Sequence, residues 1–198
     1  EASQQRLHTR DPRMADQPIE VALDTYDPLP SANLVVRVHD DMNVRLGGSM
    51  TVARPDFREL APFQFADFFG GELVQGNPAL QRTRIGNADL RWEWFLGPVD
   101  LIAVSAFYKY FDQPIETTIN AGGDLIRSFA NAHAAHNVGA EIEGRKELLF
   151  AGHGVPGLSL GANLSLIYSR VDLTGVSGQQ TSKERALRGQ SPFVVNAF

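Results

Sequence analysis

The chain has 198 residues, a formal net charge of −5, 43% hydrophobic residues, 12 Phe and no Cys. That is too apolar for a disordered solvating segment and too acidic for a dedicated nucleic-acid binder, which needs a clustered basic face. Without cysteine there is no disulfide framework, thiolate metal site or Cys nucleophile. No run approaches the roughly 18 to 20 apolar residues of a membrane-spanning helix, but a membrane β-barrel escapes that test because each strand shows lipid only every second residue. The first residues, Glu1-Ala2-Ser3-Gln4-Gln5, have neither the basic nor the apolar region of an export signal, so any such signal is expected to be removed or to lie upstream.

The dominant pattern has period two. In chain order, the candidate strands begin with Ser31 to His39. From Asn43 to Ala53, Val44, Leu46, Met50 and Val52 oppose Arg45, Ser49 and Thr51. Arg84 to Phe95 sets Ala88, Leu90, Trp92 and Trp94 against Asn87, Asp89, Arg91 and Glu93. Val99 to Phe111 and Ala135 to Leu148 follow. Gly157 to Val171 sets Leu158, Leu160, Ala162, Leu164, Leu166 and Tyr168 against a side of Ser, Gly and Asn that only Ile167 breaks. A last candidate starts at Ser191 and runs to Phe198. These are seven strands with no convincing helix, an all-β class.

Connections alternate in length. Asp40 to Met42, Leu96 to Pro98 and Leu149 to Pro156 are short and rich in turn formers. Arg54 to Thr83, Asp112 to Ala134 and Asp172 to Gln190 are long, and structureless links of that size are uncommon in compact soluble domains. An antiparallel transmembrane β-barrel expects short turns at one rim and long loops at the other. Most of the strands reach the roughly 9 to 11 residues that cross a bilayer at a tilt. With direction taken from the loops, Trp92 and Trp94 fall at the short-turn rim, and Tyr108, Tyr110 and Tyr168 at the long-loop rim. Two such girdles suit amphipathic rings at a bilayer interface. The alternating pattern fits equally a soluble β-sandwich with one buried face.

Thr51-Val52-Ala53-Arg54-Pro55-Asp56-Phe57-Arg58-Glu59-Leu60, followed by Ala61-Pro62-Phe63, resembles a recurrent segment of TonB-dependent outer-membrane receptors in which a strand rises into an extracellular loop. Leu29 to Leu34, Gly76 to Leu80, Asp89 to Phe95, Ser105 to Phe111 with Pro114-Ile115-Glu116, and Gly189 to Asn196 are similar to the same family in the same order. The match runs over most of Tyr26 to Asn196. It implies a barrel of about 22 strands with a plugged lumen, of which this chain holds about seven. On that reading residues 1–198 are a partial barrel, Phe198 is a truncation point, and the plug, the TonB-contacting segment and the remaining strands lie elsewhere. The implied setting is the bacterial cell outer membrane. The implied partners are outer-membrane lipid, the plug of the same protein, the TonB complex acting through the plug, and a nutrient ligand.

Candidate site residues follow from this placement. Arg54, Asp56, Arg58 and Glu59 form a dense mixed-charge cluster above a strand, which either helps shape the outer mouth where ligand is first held or pairs with itself and with neighbouring loops to fix the strand exit. Phe57, Phe63, Phe65, Phe68 and Phe69 concentrate in the same loop as a ligand patch or as loop packing. Asn87, Asp89, Arg91 and Glu93 line the interior, for plug or neighbouring strands first and ligand second. His133 and His136 have the spacing of a metal pair but lack a third ligand beside them. His153 reads as a turn residue. Gly152 to Gly161 lacks the Gly-Lys-Ser/Thr ending of a phosphate loop, and no catalytic constellation stands out. The expectation is therefore a receptor without enzymatic activity or cofactor. It would take up a siderophore, cobalamin or glycan. The competing readings are a small self-contained adhesin or porin barrel and a soluble carbohydrate-binding sandwich.

Overall fold

The computed structural model describes residues 2–10, 18–66, 73–121, 125–149, 157–176 and 182–198. In chain order the elements are β1 (Ala2–Arg10), β2 (Pro18–Tyr26), β3 (Ser31–His39), β4 (Met42–Ala53), α1 (Phe57–Leu60), β5 (Gln64–Ala66), β6 (Leu73–Gln75), β7 (Thr83–Phe95), β8 (Leu101–Asp112), β9 (Ile115–Ala121), β10 (Leu125–Asn131), β11 (Ala134–Leu149), β12 (Leu158–Asp172), β13 (Glu184–Arg185) and β14 (Phe193–Ala197). The main sheet is wholly antiparallel in the order β3-β4-β7-β8-β11-β12. On its far edge β13 pairs with the top of β12, and β14 pairs with its middle. The seven strands expected from alternation are β3, β4, β7, β8, β11, β12 and β14, displaced by at most two residues at their ends.

Register turns the alternation into two faces. Val44, Trp92, Val104, Ile142 and Leu164 stand in one cross-strand row, and Leu46, Leu90, Ala106, Ala140 and Leu166 in the next. These apolar side chains are not covered. Leu34, Leu46, Leu90, Ile142, Leu166 and Tyr168 are all largely exposed. A sandwich would lay a second sheet over this face, and among the described residues none does so. A continuous apolar surface across six strands far exceeds what a water-soluble monomer exposes and calls for a hydrocarbon solvent.

The aromatic rows bound that surface. Trp94 lies opposite Ile102, and eight residues further along β8 stands Tyr110. At about 3.3 Å per residue this is roughly 26 Å along the strand, or about 20 Å along the membrane normal at the usual tilt, most of an apolar band about 25 Å tall. At the short-turn rim, Trp92 and Trp94 lie with ring centroids 6.3 Å apart, and the Trp94 indole N–H donates to Asp41 in the β3–β4 turn at 2.9 Å. At that same rim Asp100 accepts the Glu147 amide at 2.8 Å and pairs with Lys146. At the other rim Tyr108 and Tyr168 share a row on either side of Val138. No helix among the described residues is long and apolar enough to cross a membrane; the crossing elements are the strands.

Three expectations need correction. The long links of residues 54–83 and 112–134 are not structureless. They contribute β5, β6, β9 and β10 to a second, four-stranded sheet ordered β5-β6-β10-β9, with β6 and β10 parallel. Ile115-Glu116-Thr117-Thr118-Ile119 and the Gly122-Gly123-Asp124 that follows already carried the signal, a β-branched run before turn residues. One helical turn, α1, also forms, because Asp56 and Glu59 make the capping spacing: Glu59 accepts the Asp56 amide at 2.9 Å. The N-terminal stretch, left unassigned by the sequence, forms the separate β1–β2 hairpin.

Candidate functional site

Two regions hold the charged and aromatic candidates: the polar face of the main sheet, and the cap that the outer segments build above it. On the polar face Arg45, Glu93, Arg91, Glu143 and Arg145 alternate in sign across β4, β7 and β11. The successive contacts are 2.6, 3.0, 2.7 and 3.4 Å. Arg91 also donates to the Ser105 hydroxyl on β8 at 3.1 Å. Its fork therefore braces three neighbouring strands, and planar, multidentate guanidinium chemistry suits that task better than an ammonium would. Asp89, two residues away, is exposed on this face and lies beside Gly47, whose added Cβ would stand 3.6 Å from the Asp89 Cβ. Of the two interior candidates, Arg91 is committed to the wall while Asp89 is left facing the interior.

Gly139 marks a close approach on the same face. A Cβ there would lie 2.4 Å from the Phe107 ring and 2.8 Å from the Leu166 carbonyl oxygen, so the ring fills the place of a side chain. Phe198 packs over Gly161 in the same manner, with the Arg145 guanidinium 5.8 Å from its ring centre.

In the cap, the four-residue charge cluster comes apart. Asp56 and Glu59 belong to the start of α1. The Arg58 guanidinium lies 5.0 Å from the Phe65 ring centre, and Phe63 meets Phe65 edge to face at 6.3 Å. Arg54 instead turns toward Asp27, a residue that no sequence pattern singled out. Asp27 is 2% exposed and collects Arg82 at 2.5 Å, Arg84 at 3.8 Å and Arg54 at 3.9 Å. One buried carboxylate thereby ties the approach to β3 to the exit of β4 and the entry of β7. Phe57 and Phe63 remain exposed on the cap, while Phe68, Phe69 and His153 lie outside the described residues.

The three outer segments are joined. Asn131 and Gln81 exchange bonds of 2.8 and 2.9 Å, and Asn77 reaches the Phe129 carbonyl at 3.0 Å. Gly76 sits where a Cβ would come within 2.4 to 2.7 Å of the α1 backbone and Ala61, so only glycine allows this approach. Leu60 and Leu80 pack beneath it with Ile115 and Phe129. The third segment docks through Arg185 on Glu116 at 2.5 Å and Arg188 on the Thr117 hydroxyl at 2.8 Å. A second apolar cluster of Ala132, Ala135, Val171 and Leu173 seals the junction of cap and barrel wall.

Burial pushes the Glu116 carboxyl above its ordinary 4.5, with the Arg185 and Arg188 cations opposing the rise. The docked cap then holds more protons than an undocked one, so its stability is fullest below pH 4.5 and declines as pH rises through the raised value. Asp41 and Asp100 are shifted the opposite way, below 3.8, chiefly by hydrogen bonds, and change nothing between pH 5 and 7.5. With the intrinsic pH dependence of exchange divided out, the amides of 115–121 and 184–190 should therefore be better protected at pH 5 than at pH 7.5, and Glu116→Gln should flatten that difference. Lower protection at pH 5 than at pH 7.5 would show that the Arg185 attraction dominates.

His133 and His136 do not converge. His136 Nδ1 bonds the Tyr108 hydroxyl at 2.6 Å between the Tyr108 and Tyr110 rings, whereas His133 lies 3.8 Å from Asp172. Among the described residues no three acidic or His side chains are grouped to hold a metal.

Comparison with curated protein sequences gives no match. Among solved structures, the siderophore receptor PirA from Pseudomonas aeruginosa superposes with a TM-score of 0.57 at 20% identity, over 74% of this chain and 31% of that one. A variant of the ferric enterobactin receptor PfeA from Pseudomonas aeruginosa, in complex with enterobactin, gives 0.55 at 16% identity, over 79% of this chain and 27% of that one. The chain thus spans about a third or less of the length of the structures it resembles. The family model described as TonB dependent receptor-like, beta-barrel matches residues 10–198. With that match over nearly its whole length, and an antiparallel sheet apolar outside and ion-paired within, the chain belongs to the TonB-dependent receptor β-barrel family.

Proposed function

We propose that residues 1–198 are part of the barrel wall of an outer-membrane receptor that takes up a scarce nutrient by energy-coupled transport, with a ferric siderophore as the substrate class. The observation that carries this reading is the uncovered apolar face bounded by the Trp92/Trp94 and Tyr108/Tyr110/Tyr168 rows, backed by the Arg45 to Arg145 ladder. Among the described residues β3 and β14 are not paired with each other, so further strands are needed to close a barrel, and open edges are not tolerated in lipid. Siderophore receptors among the structural neighbours favour that substrate over cobalamin or a glycan.

In this reading the cap faces the medium, and Phe57, Phe63 and the Arg58–Phe65 stack meet an aromatic or anionic ligand first. Asp89 faces the plug, which an inner-membrane TonB complex would displace. No bond is made or broken by these residues; their work is to hold, release and seal.

The test is uptake by cells carrying the full-length receptor. Radiolabelled ferric siderophore should accumulate only with TonB present, and a double Phe63→Ala, Phe65→Ala receptor should bind it more weakly while still reaching the outer membrane. Uptake of cobalamin or glycan instead would overturn the substrate class. A receptor absent from the outer membrane would overturn the whole reading.

A further inference from the structure

We propose that the lipid-facing side of the wall carries a seat for one phosphorylated membrane lipid, its acyl chain in a hollow over β3, β4 and β7 and its phosphate at Arg84; this rests on the membrane-barrel reading above. The hollow is about 410 Å³. Its shape follows from register. Ala32, Gly48 and Ala88 share one cross-strand row that ends at Tyr108, and Met50 and Gly86 share the next, which ends at Tyr110. Apart from Met50, which lines the hollow, small residues therefore hold these two rows on β3, β4 and β7, while the row nearer the midplane is Leu34, Leu46 and Leu90.

The result is a depression with a leucine ridge toward the membrane centre and two tyrosine rings along one side. Tyr108 is held in place as a wall by its 2.6 Å bond to His136. On β11 and β12 the same levels are filled by Val138, Tyr168, His136 and Arg170, so the hollow is local and not a property of the whole face.

Its outer mouth carries charge. Arg84 lies two residues beyond Gly86 on the same face, its side chain 53% exposed and 3.8 Å from Asp27. The tyrosine rows place it at headgroup level, where a cation attracts anionic lipid and a guanidinium takes phosphate in two parallel bonds. Asp112 stands opposite Arg84 in register and tempers that charge, so the chain in the hollow supplies most of the preference and the phosphate orients it. A flat apolar face has no preferred place for a lipid; a three-sided hollow beneath a cation does.

The full-length receptor, stripped of lipid in mild detergent, would be titrated with phosphatidylglycerol and with diacylglycerol and read by native mass spectrometry. A Cβ at Gly86 would meet only the Met50 sulfur, at an ordinary 3.7 Å, so Gly86→Leu fills the hollow without forcing the backbone. The first phosphatidylglycerol should bind about tenfold more weakly to Gly86→Leu, as expected from loss of a few buried methylenes. Arg84→Gln should lose phosphatidylglycerol several-fold and leave the weaker diacylglycerol binding unchanged. Equal phosphatidylglycerol binding by wild type and Gly86→Leu would overturn the seat, as would a dimer that Gly86→Leu abolishes while lipid binding stays the same. A heat-modifiable receptor that needs detergent yet shows no lipid difference refutes only the seat, whereas a receptor that stays soluble without detergent refutes the barrel reading itself.

Discussion

Replacing Leu166 with arginine in the full-length receptor should cost about 2 to 4 kcal/mol of folding in the bilayer, the depth-dependent price of a cation on the lipid face at the midplane. Leu166 is 57% exposed and stands in the row of Leu90, Ala106 and Ala140, midway between the Tyr110 and Trp94 levels. In water such a site would favour arginine, so the sign of the effect reports the solvent. The neighbouring Ser165→Arg is the control, since its side chain projects from the opposite face, where Glu141 is the cross-strand partner, and it should change stability little. Folded fractions in urea, read by heat-modifiable mobility in lipid vesicles, would measure both. Equal tolerance of the two substitutions would mean that the apolar face is not against hydrocarbon.

Asp27→Ala is expected to destabilise the outer rim by about 3 kcal/mol, the low end of the cost of breaking a buried ion pair from one side. Its carboxylate is 3% exposed, whereas Arg82 and Arg54 are about one-fifth exposed and Arg84 half exposed. Removing the acid leaves three guanidinium groups close together, two of them largely shielded from water. Arg84 can relax outward, which is why the upper end of that range is not expected. Asp27→Asn keeps an acceptor for the Arg82 bond at 2.5 Å and should cost less, and an Asp27→Ala, Arg82→Leu double variant should recover part of the loss. Thermal unfolding of the receptor in detergent, with proteolysis of 54–66 as a local probe, would give the values. Additive losses in the double variant would show that the two residues are not coupled.

How much of this was legible beforehand depended on whether the physical cause was local. The period-two runs from Asn43 to Ala53 and from Gly157 to Val171 announce half-apolar strands because each residue's face is set by its own parity. The tight links at Asp40-Asp41 and Leu96-Gly97-Pro98 announce direction for similar reasons. Asp56 and Glu59 also lay at capping spacing, and reading them as a charge cluster missed a local rule in plain view. Arg91 was legible as an inward side chain but not as a brace, since its partners Ser105 and Glu143 are 14 and 52 residues away.

Asp27 could not be found at all from the chain. Its three arginines follow 27, 55 and 57 positions later, and only the pairing of β4 with β7 brings them to one point. The same holds for the cap, where parallel pairing of β6 with β10 joins segments with no shared pattern, and for Glu116, whose burial depends on Arg185 arriving from a third segment.

Composition and alternation by themselves determined that this protein is an antiparallel sheet with one apolar and one charged face, because side-chain parity along a strand is a property of the backbone. The tertiary structure alone decided which solvent the apolar face meets. Lipid and protein core demand the same residues there, and only the absence of a covering layer among the described residues, with aromatic rows at both ends of the exposed band, separates them.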